Sequence, residues 1–233
     1  MSKKNKKNDS QTNTPKHFEL RKVTPLTVNQ TAAFTTYNTG KHMLLHGIAG
    51  TGKTFISIYL ALQTILNSNQ YKKLKIIRSV VPSRDIGFLP GSAKEKAAVY
   101  ETAYKDMVDD LFGRGDGYET LKRNGLLDFT TTSFLRGSTF DDSIILVDEI
   151  QNMTFAELDT IITRVGNNCR IIFCGDYRQT DFTRNDEKSG LLTFMRILDT
   201  IDSFEKIEFG VEDIVRSAMV KQYIIAKLKI GMV

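Results

Sequence analysis

Cysteine and proline are scarce in this sequence, with two and four copies in 233 residues, and long apolar runs are absent. Cys169 and Cys174 stand at either end of one predicted strand, an odd number of positions apart. Their side chains therefore point to opposite faces, which argues against a disulfide between them. Reduced thiols are typical of intracellular proteins. Without a signal-peptide core or a run of membrane-spanning length, we expect a soluble protein.

The net charge of +5 is confined to the start of the chain. Residues 1–22 contain seven Lys and Arg against two Asp and Glu, whereas the rest of the chain carries 25 of each sign. A segment this polar, with no aromatic residue before Phe18, is expected to be disordered. Two interpretations stay open, a non-specific tether for nucleic-acid phosphates or a solvated terminus.

Residues 23–233 are predicted to form one domain, because no linker or repeat divides them. Strand-like apolar runs occur at residues 43–46, 74–78, 144–148, 170–174 and 206–209. Helical patterns occur at residues 27–40, 53–67, 93–112, 154–165, 189–200 and 211–229. This alternation predicts an α/β fold with a mostly parallel, five-stranded sheet and helices on both faces. The stretch around 113–137 is expected to be an irregular insertion.

The helical pattern at residues 93–112 contains aromatic residues that could serve either the core or a nucleic-acid platform. Because they keep helical spacing with apolar neighbours, the core is favoured. The residues that share this spacing are Tyr100, Tyr104, Met107, Val108 and Leu111.

The most specific motif, GIAGTGKT, begins at residue 47 and fits the phosphate-loop pattern GxxxxGK[ST]. An apolar run precedes it and a helical pattern follows, as the motif requires. Its glycines let backbone amides curl around a polyphosphate at a helix start. Lys53 is predicted to neutralise the β and γ phosphates, and Thr54 to ligate Mg²⁺. The predicted nucleotide-binding residues are Gly47, Ile48, Ala49, Gly50, Thr51, Gly52, Lys53 and Thr54.

An acid pair, Asp148-Glu149, ends the apolar run at residues 144–148. Parallel sheets bind their ligands at the carboxyl ends of strands. Asp148 is predicted to hold Mg²⁺ through water, and Glu149 to act as general base on a water in line with the γ-phosphate. A kinase would need a second substrate pocket, so the pair favours hydrolysis.

A glutamine follows the next strand, in the stretch GDYRQ at residues 175–179. In a phosphate-loop sheet this strand is expected beside the phosphate loop, so Gln179 could reach the γ-phosphate or the attacking water. A glutamine amide both donates and accepts hydrogen bonds. The motif set favours a sensor of nucleotide state; the residue alone would suit an Asx-type turn with an exposed Gln.

Together these motifs resemble those of the PhoH-like ATPases, a family related to superfamily 1 helicases. The resemblance rests on DEIQNMT at 148–154, GDYRQTD at 175–181 and IGFLPGSAKEK at 86–96, and it runs from about residue 25 to about residue 227. It implies a RecA-like P-loop NTPase domain that hydrolyses ATP with Mg²⁺ and has RNA as its suspected substrate. It also implies a ring-shaped homo-oligomer, a hexamer. The short chain looks like the compact phage type, which would act in the host cytoplasm.

The chain departs from the family pattern in the presumed nucleic-acid or subunit-contact region. Residues 83–86 read SRDI where relatives have GE, Val99 replaces a proline, and Ser138 stands where a second arginine is expected. These departures put the substrate preference in doubt more than the nucleotide chemistry.

The resemblance also implies roles for two isolated residues. Gln30 matches a glutamine that reads adenine, against the alternative of a surface helix residue. Arg216 matches an arginine that reaches phosphate, against a helical salt bridge with Glu212 four residues earlier. Arg78, Arg136 and Arg164 are further candidates for an arginine finger.

The segment from Arg78 to Gly91 combines arginines, an aromatic residue and a Pro-Gly turn. This composition suits contact with a single-stranded backbone and one stacked base, although a subunit-packing loop would look similar. The predicted nucleic-acid contacts are Arg78, Arg84, Phe88, Lys94 and Lys96.

The sequence accommodates only one such core, whereas a monomeric helicase of this lineage uses two. We therefore expect a neighbouring subunit to close the site and lend an arginine. Two hypotheses of different class follow: an ATPase that couples turnover to binding or unwinding of single-stranded nucleic acid, or a nucleotide-gated switch that grips RNA or a partner and hydrolyses slowly.

Overall fold

A parallel sheet of six strands, counted over the part of the chain that the structure describes, lies at the centre of the fold. The computed structural model describes residues 18–79, 93–135, 137, 139–176 and 185–231. The strands are β1 (His42–Gly47), β2 (Lys73–Arg78), β3 (Leu127–Thr131), β4 (Ser143–Asp148), β5 (Arg170–Gly175) and β6 (Phe204–Phe209). They lie in the order β3-β2-β4-β5-β1-β6, and every neighbouring pair is parallel.

Helices cover both faces of the sheet, as the alternating pattern predicts. They are α1 (Val28–Asn38), α2 (Lys53–Asn67), α3 (Ala93–Phe112), α4 (Gly117–Arg123), α5 (Phe155–Ile162), α6 (Asn185–Leu198) and α7 (Ala218–Lys229). One core contains buried residues of α1 to α4, and the core on the other face contains those of α5 and α6. Ile144 of β4 belongs to the first core and Ile145 to the second, which explains why this strand is apolar throughout.

The sheet contains one strand more than the five expected. The additional strand, β3, lies within the stretch around 113–137 that was expected to be an irregular insertion, and α4 precedes it there. The expectation was wrong because β3 is an edge strand bonded only to β2, with three of its five residues half-buried. Such a strand, LDFTT, lacks the continuous apolar run that marks a central parallel strand.

The helix expected at residues 211–229 is interrupted. Residues Val211–Asp213 form a 3-10 turn, an extended segment follows, and α7 begins only after Ser217, whose hydroxyl caps the helix by accepting from the Val220 amide. The interruption is tertiary in origin, because the backbone amide of Val215 donates to the carbonyl oxygen of Gly50 in the phosphate loop.

Helix starts follow the expected capping rules where the sequence offers Ser or Thr. Thr27 accepts from the amide of Gln30 at the start of α1, and Thr154 forms a capping box with Glu157 at the start of α5. Across the described ranges no helix combines the length and apolarity needed to cross a membrane.

Candidate active site

The loop between β1 and α2 curls because its glycines adopt backbone conformations closed to most residues. Gly47 has a φ of 120° and Gly52 a φ of 80°. A Cβ on Gly47 would lie 2.2 Å from the carbonyl oxygen of Phe209, so a side chain is excluded there. The resulting cradle of backbone amides at the start of α2 fits a polyphosphate.

Lys53, the first residue of α2, turns its side chain back into this curl. Its amine donates to the carbonyl oxygens of Gly47 and Ile48, both over 2.8 Å, and to the hydroxyl of Thr51 over 3.2 Å. Burial lowers the pKa of the amine, while nearby acids, Asp176 among them, act in the opposite direction. The loop therefore holds a buried cation of the kind that neutralises phosphate oxygens.

Thr54 and Asp148 bring two oxygen ligands together beside the loop. The Thr54 hydroxyl donates to Oδ1 of Asp148 over 2.9 Å. Burial raises the pKa of Asp148, whereas hydrogen bonds from Tyr104 and Thr54 and the charge of Arg78 work to lower it. Hydroxyl, carboxylate and phosphate oxygens are the ligands that Mg²⁺ prefers, so these residues fit the predicted cofactor.

Glu149 leaves the line of β4 through a left-handed backbone conformation, with φ 56° and ψ 44°. Its carboxylate accepts a hydrogen bond from the side-chain amide of Gln151. The Oε1 atom of Gln151 in turn accepts from the backbone amide of Asp176 over 3.0 Å. Burial and the neighbouring charge of Asp148 raise the pKa of Glu149. A carboxylate held in this way is suited to accept a proton from water.

The position of Gln151, which bonds to both Glu149 and Asp176, explains why residue 175 in the GDYRQ stretch is a glycine. A Cβ on Gly175 would lie 2.5 Å from Oε1 of Gln151 and 2.6 Å from Cγ1 of Ile150. As expected, β5 pairs directly with β1, which brings the end of β5 beside the phosphate loop. Gln179 itself lies outside the described residues, and its role stays a prediction.

Arg78 lies at the end of β2, opposite Asp148 in the β2–β4 register. Its guanidinium stacks over the ring of Tyr100, 4.8 Å from the ring centroid. Burial lowers the pKa of Arg78, but Tyr104, Glu149 and Asp148 raise it, and the net change is upward. Arg78 was predicted as a nucleic-acid contact and as a candidate finger, and it lies in the wall of the same cleft as the acid pair.

Arg216 meets the phosphate loop from the segment before α7. A Cβ on Gly50 would come within 3.0 Å of its Cγ, so its aliphatic stem lies against the loop. The alternative, a helical salt bridge with Glu212, does not form, because that residue belongs to the 3-10 turn that ends at Asp213. The fallback candidate Arg164 follows α5 and lies near the start of β4, where its carbonyl oxygen accepts from the amide of Phe140. The phosphate loop lies at the other end of the strands, after the carboxyl end of β1.

Gln30 is buried rather than exposed, being 3% accessible, so the surface alternative was wrong. Its Nε2 donates to the carbonyl oxygen of Thr51 over 2.9 Å, and its Oε1 accepts from the amide of Leu26 over 2.8 Å. One hydrogen and one lone pair of the amide remain. It lines a mainly apolar pocket next to the loop with Phe55 and Val215, the kind of wall that suits a base.

The remaining predicted residues lie outside the described part of the chain or at the start of α3. Arg84, Phe88 and the fallback candidate Arg136 lie outside the described residues. Lys94 and Lys96 lie in the first turn of α3, of which only the backbone is described. The predictions for these positions stay predictions.

Two residues of the site were missed by sequence reasoning. Tyr104 was assigned to the core from its spacing, and its hydroxyl nonetheless donates to Oδ2 of Asp148 over 2.8 Å. Gln151 belongs to the quoted DEIQ motif, but its bridge between Glu149 and Asp176 depends on where β5 ends. Helical periodicity gives no sign that Tyr104 would bond to Asp148. The DEIQ spacing could have suggested that Gln151 belongs to the site.

Comparison with known proteins agrees with the motifs. Residues 22–227 match the model of a family described as PhoH-like protein. The PhoH-like protein of Bacillus subtilis (strain 168) is 35% identical over 179 residues, which cover 76% of this chain and 55% of that protein. Protein PhoH of Escherichia coli (strain K12) is 32% identical over 175 residues, covering 74% and 49%. The chain thus spans about half the length of these curated relatives.

Similar folds occur among solved structures. The large terminase from a thermophilic bacteriophage matches with a TM-score of 0.53 at 12% identity, covering 86% of this chain and 50% of that one. The same terminase in complex with ADP gives a TM-score of 0.51 at 11% identity, covering 85% and 49%. At such identities the likeness concerns the fold alone.

Proposed function

The chain belongs to the PhoH-like protein family, and on that premise we propose that it is an ATP hydrolase that couples turnover to single-stranded nucleic acid, with RNA favoured over DNA. Its phosphate loop and its fold are those of P-loop NTPases. The observation that carries the proposal is the acid pair beside the loop, in which Asp148 is bonded to Thr54 and Glu149 is held by Gln151.

Binding of the nucleotide follows from the loop. The backbone amides of residues 47–54 surround the phosphates, and the amine of Lys53 exchanges its carbonyl partners for phosphate oxygens. Thr54 and Asp148 would hold the Mg²⁺, Asp148 through water. When bound, this ion neutralises charge that develops on the phosphates. The residues of the loop thereby orient the γ-phosphate toward Glu149.

Hydrolysis then needs a proton acceptor for the attacking water. Glu149 takes this proton; burial and the charge of Asp148 raise its pKa, which makes it a stronger base than an ordinary carboxylate. Gln151 fixes the carboxylate by its hydrogen bond, and Gln179 is proposed to sense the γ-phosphate. The arginines nearest the loop, Arg78 and Arg216, balance the negative charge that develops on the γ-phosphate and on the ADP leaving group as the bond between them breaks.

The preference for ATP is assigned to the apolar pocket that contains Gln30. The remaining hydrogen and lone pair of its amide match the N6/N7 edge of adenine. Phe55, Met107 and Val215 supply apolar surface for the ring faces.

The distribution of positive charge along the sequence supports the proposed coupling to nucleic acid. The excess of positive charge in residues 1–22 and the basic residues between Arg78 and Lys96 provide contacts for a phosphate backbone. The balanced charge of the remainder directs the polyanion to these segments.

A homo-oligomer, a hexamer in this proposal, completes the site. One P-loop core is present in the described residues, and Arg164 lies near the start of β4, whereas the phosphate loop follows the carboxyl end of β1. In the oligomer, this arginine would enter the nucleotide site of a neighbouring copy. An arginine finger of this kind accelerates phosphoryl transfer by orders of magnitude.

The decisive experiment measures phosphate release from ATP with and without single-stranded RNA, using Glu149→Gln as the catalytic blank. Glu119→Gln, an identical change at an exposed position of α4, is the control. We expect turnover that rises with RNA, vanishes in Glu149→Gln and persists in the control. Tight ATP binding without any turnover that depends on Glu149 would replace the enzyme by a nucleotide-gated switch.

A further inference from the structure

Tyr104 is a buried phenol that reaches the proposed metal carboxylate from a helix outside the recognised motifs. It is 0% exposed, on α3, and its hydroxyl donates to Oδ2 of Asp148 over 2.8 Å. The other carboxylate oxygen, Oδ1, accepts from Thr54. The two oxygens of Asp148 are therefore held by donors from two different helices.

These two donors have different tasks in the proposed mechanism. Thr54 would ligate Mg²⁺ through a lone pair of its hydroxyl oxygen, while the hydroxyl hydrogen is donated to Oδ1 of Asp148. The Tyr104 hydroxyl is not proposed as a metal ligand: it donates to Oδ2 of Asp148 and also interacts with the side chain of Arg78. A carboxylate that holds a metal through water depends on partners that fix its orientation, and outer partners of this kind tune metal affinity strongly.

The position of Tyr104 is itself well fixed. Its ring packs against Phe129 of β3, with centroids 5.5 Å apart. One helical turn earlier, Tyr100 lies under the guanidinium of Arg78, 4.8 Å from it. Tyr100 and Tyr104 thus attach one face of α3 to β2 and β3. These contacts fix the position of the Tyr104 hydroxyl.

We propose that Tyr104 is a positioning residue for Asp148, which orients the carboxylate for Mg²⁺ and makes α3 part of the metal site. This inference rests on the proposed function, because it presupposes a metal-dependent nucleotide site. It predicts a defect specific to the metal, distinct from any effect on nucleotide binding or on packing.

The test uses Tyr104→Phe, which keeps the ring and removes only the hydroxyl. Tyr118→Phe is a matched control, since Tyr118 is 1% exposed and donates to the carboxylate of Glu101 over 2.7 Å, away from the site. ADP binding is measured by calorimetry at a series of Mg²⁺ concentrations and in EDTA, and thermal unfolding verifies that both variants fold.

We expect Tyr104→Phe to weaken the apparent affinity for Mg²⁺ about 10-fold, with ADP binding in EDTA unchanged. In ATP hydrolysis, excess Mg²⁺ should largely restore kcat. Tyr118→Phe should behave as the wild type in every measurement. An equal loss of ADP affinity with and without Mg²⁺, or the same Mg²⁺ defect in Tyr118→Phe, would assign Tyr104 to packing alone and overturn the inference.

The two levels of proposal fail differently. Wild-type ADP binding that responds to Mg²⁺, combined with a Tyr104→Phe variant of unchanged response, overturns the role of Tyr104 and leaves the proposed function intact. Wild-type binding that ignores Mg²⁺ overturns both.

Discussion

At the scale of single residues, the end of β5 approaches the turn after Glu149 so closely that no side chain fits between them. Gly175 sits at this contact, and the Oε1 of Gln151 occupies the space that a Cβ would need. Because the same Gln151 holds the carboxylate of Glu149, we expect a steric change at the end of β5 to disturb the proposed catalytic group at the end of β4.

Replacing Gly175 by alanine should therefore affect stability and catalysis together. Overpacking of this kind costs about 1–3 kcal/mol in the free energy of unfolding, and displacement of Glu149 should lower kcat about 10-fold or more. Urea unfolding and phosphate release measure the two effects. Gly115→Ala is the control, because a Cβ there would meet nothing within 4 Å. A Gly175→Ala variant with wild-type kcat would contradict the coupling.

His42 provides a second prediction, about pH. Its Nδ1 accepts a hydrogen bond from the backbone amide of Ile171 over 3.2 Å, which requires the neutral ring. Burial, and then the charge of Arg170, lower its pKa in the folded state. The unfolded chain, with a His pKa of about 6.5, therefore binds the proton more readily, and folding stability decreases as pH falls through that value.

A His42→Asn variant, which retains an acceptor atom and does not titrate, should lose less stability between pH 7.5 and pH 5.5 than the wild type. The free energy of unfolding in urea at the two pH values gives the comparison directly. Identical losses in both proteins would show that His42 does not contribute to the pH dependence.

At the scale of elements, α1 is attached to the segment after β6 through one carboxylate. Oδ2 of Asp213 accepts from Nδ2 of Asn29 over 2.7 Å and from the amide of Gly210 over 2.8 Å. Gln30 follows Asn29 on the same helix and bonds to the phosphate loop. The attachment of the helix therefore determines where Gln30 lies in the pocket that we propose for the adenine base.

The change Asn29→Ala removes one donor from a buried carboxylate. We expect a loss of about 1–3 kcal/mol in stability, and a Kd for ATP that rises about five-fold if 1 kcal/mol of this reaches the pocket. Thermal unfolding and calorimetric ATP binding report the two quantities. Thr31→Ala on the exposed side of α1 is the matched control. Lower stability with unchanged ATP affinity would limit the attachment to a structural role.

At the scale of the whole molecule, the sheet brings the phosphate loop and residues from α2, α3, β2, β4, β5 and the segment before α7 to one cleft of about 320 Å³. The cleft contains acids, a lysine and arginines from a single chain, while Arg164 lies near the start of β4, at the other end of the strands. This distribution is the reason for proposing that neighbouring copies act on one another.

Mixing wild type with increasing fractions of Glu149→Gln tests that proposal. If subunits complete one another's sites or act in sequence, activity should fall more steeply than the fraction of wild type, and sedimentation with ATP and Mg²⁺ should reveal oligomers. A strictly proportional decrease, together with monomers at full activity, would exclude a cooperative ring. Wild type mixed with Glu119→Gln controls for dilution.

The sequence alone determined the strands of the sheet interior and the chemistry at their ends. Central parallel strands are buried on both faces, so β4 and its Asp148-Glu149 pair are visible as a continuous apolar run followed by acids. The phosphate loop is equally visible in the sequence, because its curl needs positive φ values, which favour glycine. The resemblance to the PhoH-like family followed from these local motifs.

Tertiary structure decided the rest. The edge strand β3 needs only one neighbour and carries no distinctive pattern, and the helix expected at 211–229 breaks because Val215 bonds to the phosphate loop instead. Tyr104 has the spacing of a core residue, and only the packing of α3 against β3 brings its hydroxyl to the carboxylate at the end of β4. Side-chain partners that are distant in sequence have no periodic signal, because they exist only once the sheet has assembled.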